Sequence, residues 1–290
     1  MALLSVVLAI MLTQTLAFAW KDGFNTTVKF LQRYTSGRSA PAAYSGQAEQ
    51  QPGRRGFDPR ELLDRGRGTV QDPGGPHEFY FTRAIYQSGW GWSRWATDFP
   101  KSDRQFMTIV DRLIGLDVSQ RENAIRLDDP NIRKYPFLYA LEVGDIALSP
   151  PEVEGLRNYL LAGGFLVIDD FWGSWQWANF EQQIRRVFPE HPIVEIPKDH
   201  PIFNTVYKID EIIQVPAFGN FYGGRTWEQD GYEAHVRGIF DEHGRLMVVI
   251  NWNTDLGDAW EWAERPEYPL KFSTFAVEMG INFIVYAMSH

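Results

Sequence analysis

The chain has 290 residues, 44% of them hydrophobic, which is enough for a sizeable core in one or two domains. Its net charge of -9 argues against a nucleic-acid partner, because phosphate binding draws on an excess of Lys and Arg. The absence of cysteine excludes disulfides, thiolate metal sites and a cysteine nucleophile.

Residues 1–19 have an apolar core from Ala2 to Leu12 and end in Ala17-Phe18-Ala19, the small-x-small pattern of a signal-peptidase site. They read as a signal peptide cleaved after Ala19, which makes the protein exported, to the periplasm or cell envelope. The basic n-region is missing, so an uncleaved anchor is the alternative, although the apolar run is short for a span of about 20 residues. Membrane contact is expected only through that uncleaved form. Residues 20–76 are rich in Gly, Pro, Arg, Gln and Ser and read as a flexible tether. Short helices are predicted at Phe24 to Tyr34 and Pro59 to Asp64, and Asn25-Thr26-Thr27 matches a glycosylation sequon that in a tether is read as accidental. The tether holds nine basic and six acidic residues, a balance of +3, which leaves -12 on the globular part.

The globular domain, 77–290, opens with a strand at Glu78 to Tyr86 and the run GWGWSRW. Phe106, Ile109, Val110, Leu113 and Ile114 give Asp103 to Leu116 helical spacing. A short strand at Ile125 to Leu127 and a buried one at Phe137 to Leu141 follow, the latter ending in Glu142. Ser149, Pro150 and Glu152 form a capping box that opens a helix carrying Val153, Leu156 and Leu160 on one face, closed by Gly163-Gly164. Phe165 to Ile168 is a continuous apolar run, as expected of a strand covered by helices on both faces, and Asp169-Asp170 stand at its carboxyl end. Beyond it the pattern predicts a helix at Phe180 to Phe188, strands at Ile193 to Ile196, Glu211 to Val215, His235 to Phe240 and Leu246 to Ile250, and a closing helix from Lys271 to Ala287. Strands alternating with helices imply an α/β fold with a doubly wound, mostly parallel sheet, extended by an antiparallel hairpin turned at Asp241 to Gly244.

The strings YPFLYALEVGD (135–145), LSP (148–150), DFWG (170–173), HPIF (200–203), DLGDAWEW (255–262) and MGINFIVYAMSH (279–290) resemble the bacterial domain-of-unknown-function family 4159 over essentially all of 77–290. The resemblance implies a flavodoxin-like fold similar to class I glutamine amidotransferases and to trehalose-utilisation proteins. In the amidotransferases the turn after the central strand carries a catalytic cysteine; here Asp169, Asp170, Phe171 and Trp172 occupy it, so glutamine hydrolysis by that mechanism is excluded. Family members described beside ATPases and adhesion-type domains imply an envelope complex as a partner.

Ligands in open α/β sheets bind at the carboxyl ends of the strands, which makes Asp169 and Asp170 the first site candidates, as general acid or base or as oxygen ligands for a divalent cation. Glu142 on the neighbouring strand joins them. Asp255 and Asp258 with Glu261 form a second acidic cluster, for which a helix cap by Asp258 is the plainer account. Asn251 and Asn253 supply amide oxygens nearby, and no metal motif of the HExxH or EF-hand kind is present. The tryptophans bunch at 90/92/95, 172/175/177 and 260/262; most are expected to pack the core, with Trp172 and Trp175 as candidates to line a carbohydrate pocket. His200, in the HPIF setting, and Arg83, as an anion contact, complete the expected ligand-binding residues, while Ser174 lacks an elbow motif. The sequence therefore predicts a carbohydrate or other polar envelope ligand on an acidic, Trp-rich rim, with hydrolysis by Asp169 or Asp170 as the enzyme version. The alternative is a non-catalytic scaffold or binding module of a membrane-associated complex.

Overall fold

A computed structural model describes residues 58–63, 76–89 and 94–290. The leader, the helix expected at Phe24 to Tyr34, the sequon, Trp90 and Trp92 lie outside the described residues. Among the described residues the strands are β1 (Thr82–Ile85), β2 (Asn123–Arg126), β3 (Phe137–Leu141), β4 (Phe165–Asp169), β5 (Ile193–Glu195), β6 (His235–Phe240) and β7 (Leu246–Trp252). They form one sheet in the order β2-β1-β3-β4-β7-β6-β5. The first five in that order run parallel, whereas β6 is antiparallel to both β7 and β5. The helices are α1 (Pro59–Leu63), α2 (Lys101–Ile114), α3 (Pro150–Leu161), α4 (Gly173–Val187), α5 (Phe218–Tyr222), α6 (Leu256–Glu261) and α7 (Leu270–Ser289).

Side-chain alternation along the strands divides the core into two layers. Ala84, Leu138, Ala140, Leu166, Ile168, Val248 and Ile250 point to one face, where α3 and α4 bury Leu156, Leu160, Phe180 and Ile184 against them. Their neighbours Phe81, Phe137, Tyr139 and Phe165 point to the other, an aromatic layer in which Trp260 of α6 stacks on Phe106 of α2 at 4.1 Å and Tyr286 of α7 meets Phe165. Because β3 and β4 are covered on both faces, every residue in them is buried, which is why they read as unbroken apolar runs. The capping box forms as expected: Ser149 Oγ accepts from Glu152 N, and Ser149 N donates to Glu152 Oε2 at 2.8 Å. Helix α7 is long and apolar enough to cross a membrane, yet 83% of its apolar 18-residue stretch is buried in this core.

Two elements differ from expectation. Helix α4 begins at Gly173, not Phe180, because its N-terminus is satisfied from remote segments: Asn253 Oδ1 accepts from Gly173 N at 2.8 Å and Asp230 accepts from Ser174 N and Oγ. Gly173 is in the left-handed region, φ 72°, and a Cβ there would lie 2.2 Å from Asp230 Oδ1. Residues 211–215 form no strand; Val215 is fully buried, but its backbone is held by Thr254 Oγ1 and Asp255 N at the end of β7, not by a ladder.

Candidate functional site

The carboxyl ends of β1, β3, β4 and β7 meet at one edge of the sheet, and the chain leaves them through strained turns. All five non-glycine residues with positive φ among the described residues lie there: Glu142 (54°) after β3, Asp170 (47°) after β4, Asn253 (60°) after β7, Asp98 (60°) in the loop after β1, and Gln229 (47°) in the loop that bonds to the start of α4. Each such conformation costs about 1–3 kcal/mol unless its surroundings over-determine it, and such strain concentrates at functional sites.

Asp169 and Asp170 diverge as adjacent strand-end residues do. Asp169 is fully buried on the aromatic face, where its Oδ2 accepts from Tyr139 Oη at 2.6 Å and from Leu256 N and Gly257 N at 2.9 and 3.1 Å. It anchors α6 to the sheet. Burial nevertheless pushes its carboxyl up to about 7, with the Tyr139 hydroxyl and the backbone amides opposing. Asp170 accepts from Trp172 Nε1 at 2.9 Å, and its carboxyl is raised well above the usual range by burial, then by Glu142 and Asp98. Glu142 is lifted by burial to about 7 against the pull of Arg94, whose Nη1 lies 2.6 Å from Glu142 Oε2 but is half exposed.

A second group faces these from α6. Asp255, not Asp258, is the N-cap: its Oδ1 accepts from Asp258 N at 2.7 Å. Asp258 sits in the first turn and accepts from Phe218 N of α5 at 2.6 Å and from Trp262 Nε1 at 3.3 Å. Asp98 reaches toward them from the β1 loop, and ligand oxygens of Asp98, Asp255 and Asp258 all lie within 4.8 Å of one another. Burial raises all three carboxyls, that of Asp98 to about 8, with Asp258 and Glu261 adding repulsion. Gly257 makes room for this approach, since a Cβ there would lie 3.0 Å from Tyr139 Oη and 3.2 Å from Asp98 Oδ2.

Residues 81–288, from the start of β1 through α7, match the model of the family described as Domain of unknown function (DUF4159). The chain belongs to this family. Among curated proteins none matches it. The matched span of the DUF4159 domain contains every rim residue named above.

The remaining expected residues of the DUF4159 domain fall in three places. Asn251 lies beside Asp169 at the end of β7, 1% exposed, with Nδ2 donating to Ile168 O at 3.2 Å. Trp172 is 2% exposed and serves to hold Asp170 rather than to offer a ring face, whereas Trp175 is 60% exposed. Two further expectations are corrected. Arg83 is no anion contact: it is fully buried, and its guanidinium is committed to Asp103, Ser102 and the carbonyls of Trp95 and Thr97. What it does is fasten the loop that presents Asp98. His200 is not at the rim, because it packs on Phe240, which pairs with Leu246 at the opening of β7, the opposite edge of the sheet; there its Nδ1 caps the turn at Pro201–Phe203 by accepting from Ile202 N. Asp98 itself escaped the sequence reading. Its signal is chemical only in three dimensions, since nothing near it in sequence marks a ligand.

Proposed function

We propose that this exported domain binds a carbohydrate or other hydroxyl-rich envelope ligand at the acidic rim, with Asp170 as the carboxyl group that acts on it. The observation that carries this reading is the convergence of raised carboxyls and positive-φ residues on one sheet edge. A carboxyl that holds its proton more tightly than usual is fitted to donate it to a leaving oxygen, and Asp170, raised by burial and by Glu142 and Asp98 and kept in place by Trp172, is free of the structural duty that Asp169 performs. A flavodoxin-like assignment supports the same edge: renumbered among themselves, the five parallel strands follow the order 2-1-3-4-5, for which ligands sit where the strand order reverses, here between β1 and β3. Asp98 and Glu142 leave from those two strands.

Exposed aromatic rings supply the rest of the argument. Of the five exposed large hydrophobic residues among the described residues, three lie on segments attached to the rim: Trp175 at 60%, Tyr222 at 60% and Tyr232 at 65%. Ser174, beside Trp175, bonds Asp230, and Tyr232 N bonds the carbonyl of the same Asp230. Tyr222 belongs to α5, which touches Asp258 through Phe218 N and Glu228 through Asn220. Ring faces edged with carboxylates and amides suit the C–H surfaces and hydroxyls of sugars. The test is tryptophan fluorescence of the full chain titrated with envelope glycans and their oligosaccharides. A saturable change that is abolished in Trp175→Ala and Tyr222→Ala supports the reading, with hydrolysis of the bound glycan lost in Asp170→Asn. If no glycan alters the fluorescence, the carbohydrate assignment fails.

A further inference from the structure

The rim gathers more carboxyl groups than its own cations can pair. Asp98, Asp255 and Asp258 lie within reach of one another, with Asp170, Glu142, Glu228 and Glu261 around them. Of the neighbouring cations, Arg83 is consumed by Asp103, Arg94 pairs with Glu142, and Lys101 sits over the Trp262 ring with Glu264 at 3.1 Å. A cluster of acidic groups does not by itself make a site; the orphaned oxygens beside it do. Asp169 Oδ1 and Asn251 Oδ1 belong to residues 0% and 1% exposed, and neither atom has a hydrogen-bond partner; Asp98 Oδ2 is a third buried oxygen without one. The other oxygen of Asp169 rests on Leu256 N and Gly257 N, between Asp255 and Asp258, so that its carboxyl faces the first turn of α6, and the space over Gly257 is bounded by Asp98 Oδ2 and, at 3.5 Å, Asp255 Oδ1. Buried polar atoms are almost always satisfied. On these segments three of the unsatisfied buried atoms are acceptors, Asp98 Oδ2, Asp169 Oδ1 and Asn251 Oδ1, against one donor, Trp260 Nε1 on α6, and the excess of acceptors calls for a cation.

We propose that Asp98, Asp255 and Asp258 bind a divalent metal ion, with calcium preferred over magnesium, and that Asp169 and Asn251 complete the oxygen lining behind it. The ligands are all oxygen, the choice of hard cations. The oxygens of the three carboxyls lie within 4.8 Å of one another, near enough to share one ion, and a lining built from five protein residues suits calcium, which takes about six to eight oxygens in flexible geometry, better than magnesium, which keeps several of its waters. Phe218 N and Trp262 Nε1 orient the Asp258 carboxylate from outside, as donors behind metal ligands commonly do.

This site stands apart from the carbohydrate reading and is tested without any sugar. The full chain, stripped with a chelator, is titrated calorimetrically with calcium chloride and with magnesium chloride, and in parallel with terbium, whose luminescence is excited through nearby tryptophan. One calcium per chain, at least tenfold weaker magnesium binding, and terbium emission competed away by calcium are expected. Asp98→Asn should lower calcium affinity at least tenfold. Gly257→Ala, which sets a methyl against Asp98 Oδ2 and alters no ligand, should do the same in a folded protein, judged by circular dichroism. Absence of calcium heat and of terbium emission in the wild-type chain overturns the proposal, as does calcium binding of wild-type affinity in both variants.

Discussion

Asp169 and Asp170 are neighbours in sequence with opposite duties, and truncating them separates anchor from site. In Asp169→Ala the Tyr139 hydroxyl and the amides of Leu256 and Gly257 lose their shared acceptor in a fully buried setting. Each buried donor left unsatisfied costs about 1–3 kcal/mol, so the loss is about 3–9 kcal/mol, with water entering the gap holding it to the low end. Against a typical stability of about 5–15 kcal/mol this removes a large fraction of the total, and at about 2–4 °C per kcal/mol for a domain of this size the melting temperature falls by roughly 6 °C or more. Asp170→Asn keeps an oxygen for Trp172 Nε1 and removes a buried titratable group crowded by Glu142 and Asp98, so its melting temperature should stay within about 2 °C of wild type or rise. Differential scanning calorimetry of the full chain and both variants makes the comparison. Equal melting temperatures for Asp169→Ala and wild type would refute the anchoring role, and a large loss in Asp170→Asn would make Asp170 structural.

Other perturbations follow from the same geometry. Arg83→Met leaves Asp103 buried without its partner, at a cost of about 3–5 kcal/mol, readable as a lowered urea midpoint. Metal-free protein should lose stability as pH rises. Asp98 has a folded pKa of about 8 and Glu142, Asp169 and Glu261 of about 7, all above the ordinary carboxylate values of about 4, so the protonated groups favour the folded state fully below pH ~4 and cease to do so as pH passes through 7 to 8. Melting temperatures measured in chelator should therefore fall between pH 5 and pH 9; a rise over that range contradicts the assigned shifts. His200→Ala should leave any rim ligand's affinity unchanged within twofold by calorimetry, since His200 lies at the far edge of the sheet.

The parts of the fold written in local chemistry were legible in advance. The Ser149–Glu152 box, the closing glycines and the unbroken Phe165–Ile168 run each carry their signal within a few residues, and the helix and strand they predict are present. Helix α4 was foreshortened because its caps, Asp230 and Asn253, come from other segments. The site was half visible for a similar reason. Asp169, Asp170, Glu142, Asp255 and Asp258 end strands or open helices, positions the sequence pattern marks, whereas Asp98 hangs in a loop whose place is set by Arg83 bonds to the Trp95 and Thr97 carbonyls. Arg83 and Trp172 looked like ligand groups because both carry polar donors near strand ends. Burial turned the first into a loop fastener and the second into a clamp on Asp170.

The central claim is that the carboxyl edge of the sheet is a working ligand site, and a thermal-shift screen of the full chain against divalent cations and envelope sugars tests it most directly, because a ligand that binds only the folded state raises the melting temperature. The account predicts a shift with calcium that disappears in Asp98→Asn and a shift with a glycan that disappears in Asp170→Asn, both retained in His200→Ala. No shift with any ligand, or shifts of equal size in all four proteins, would contradict it.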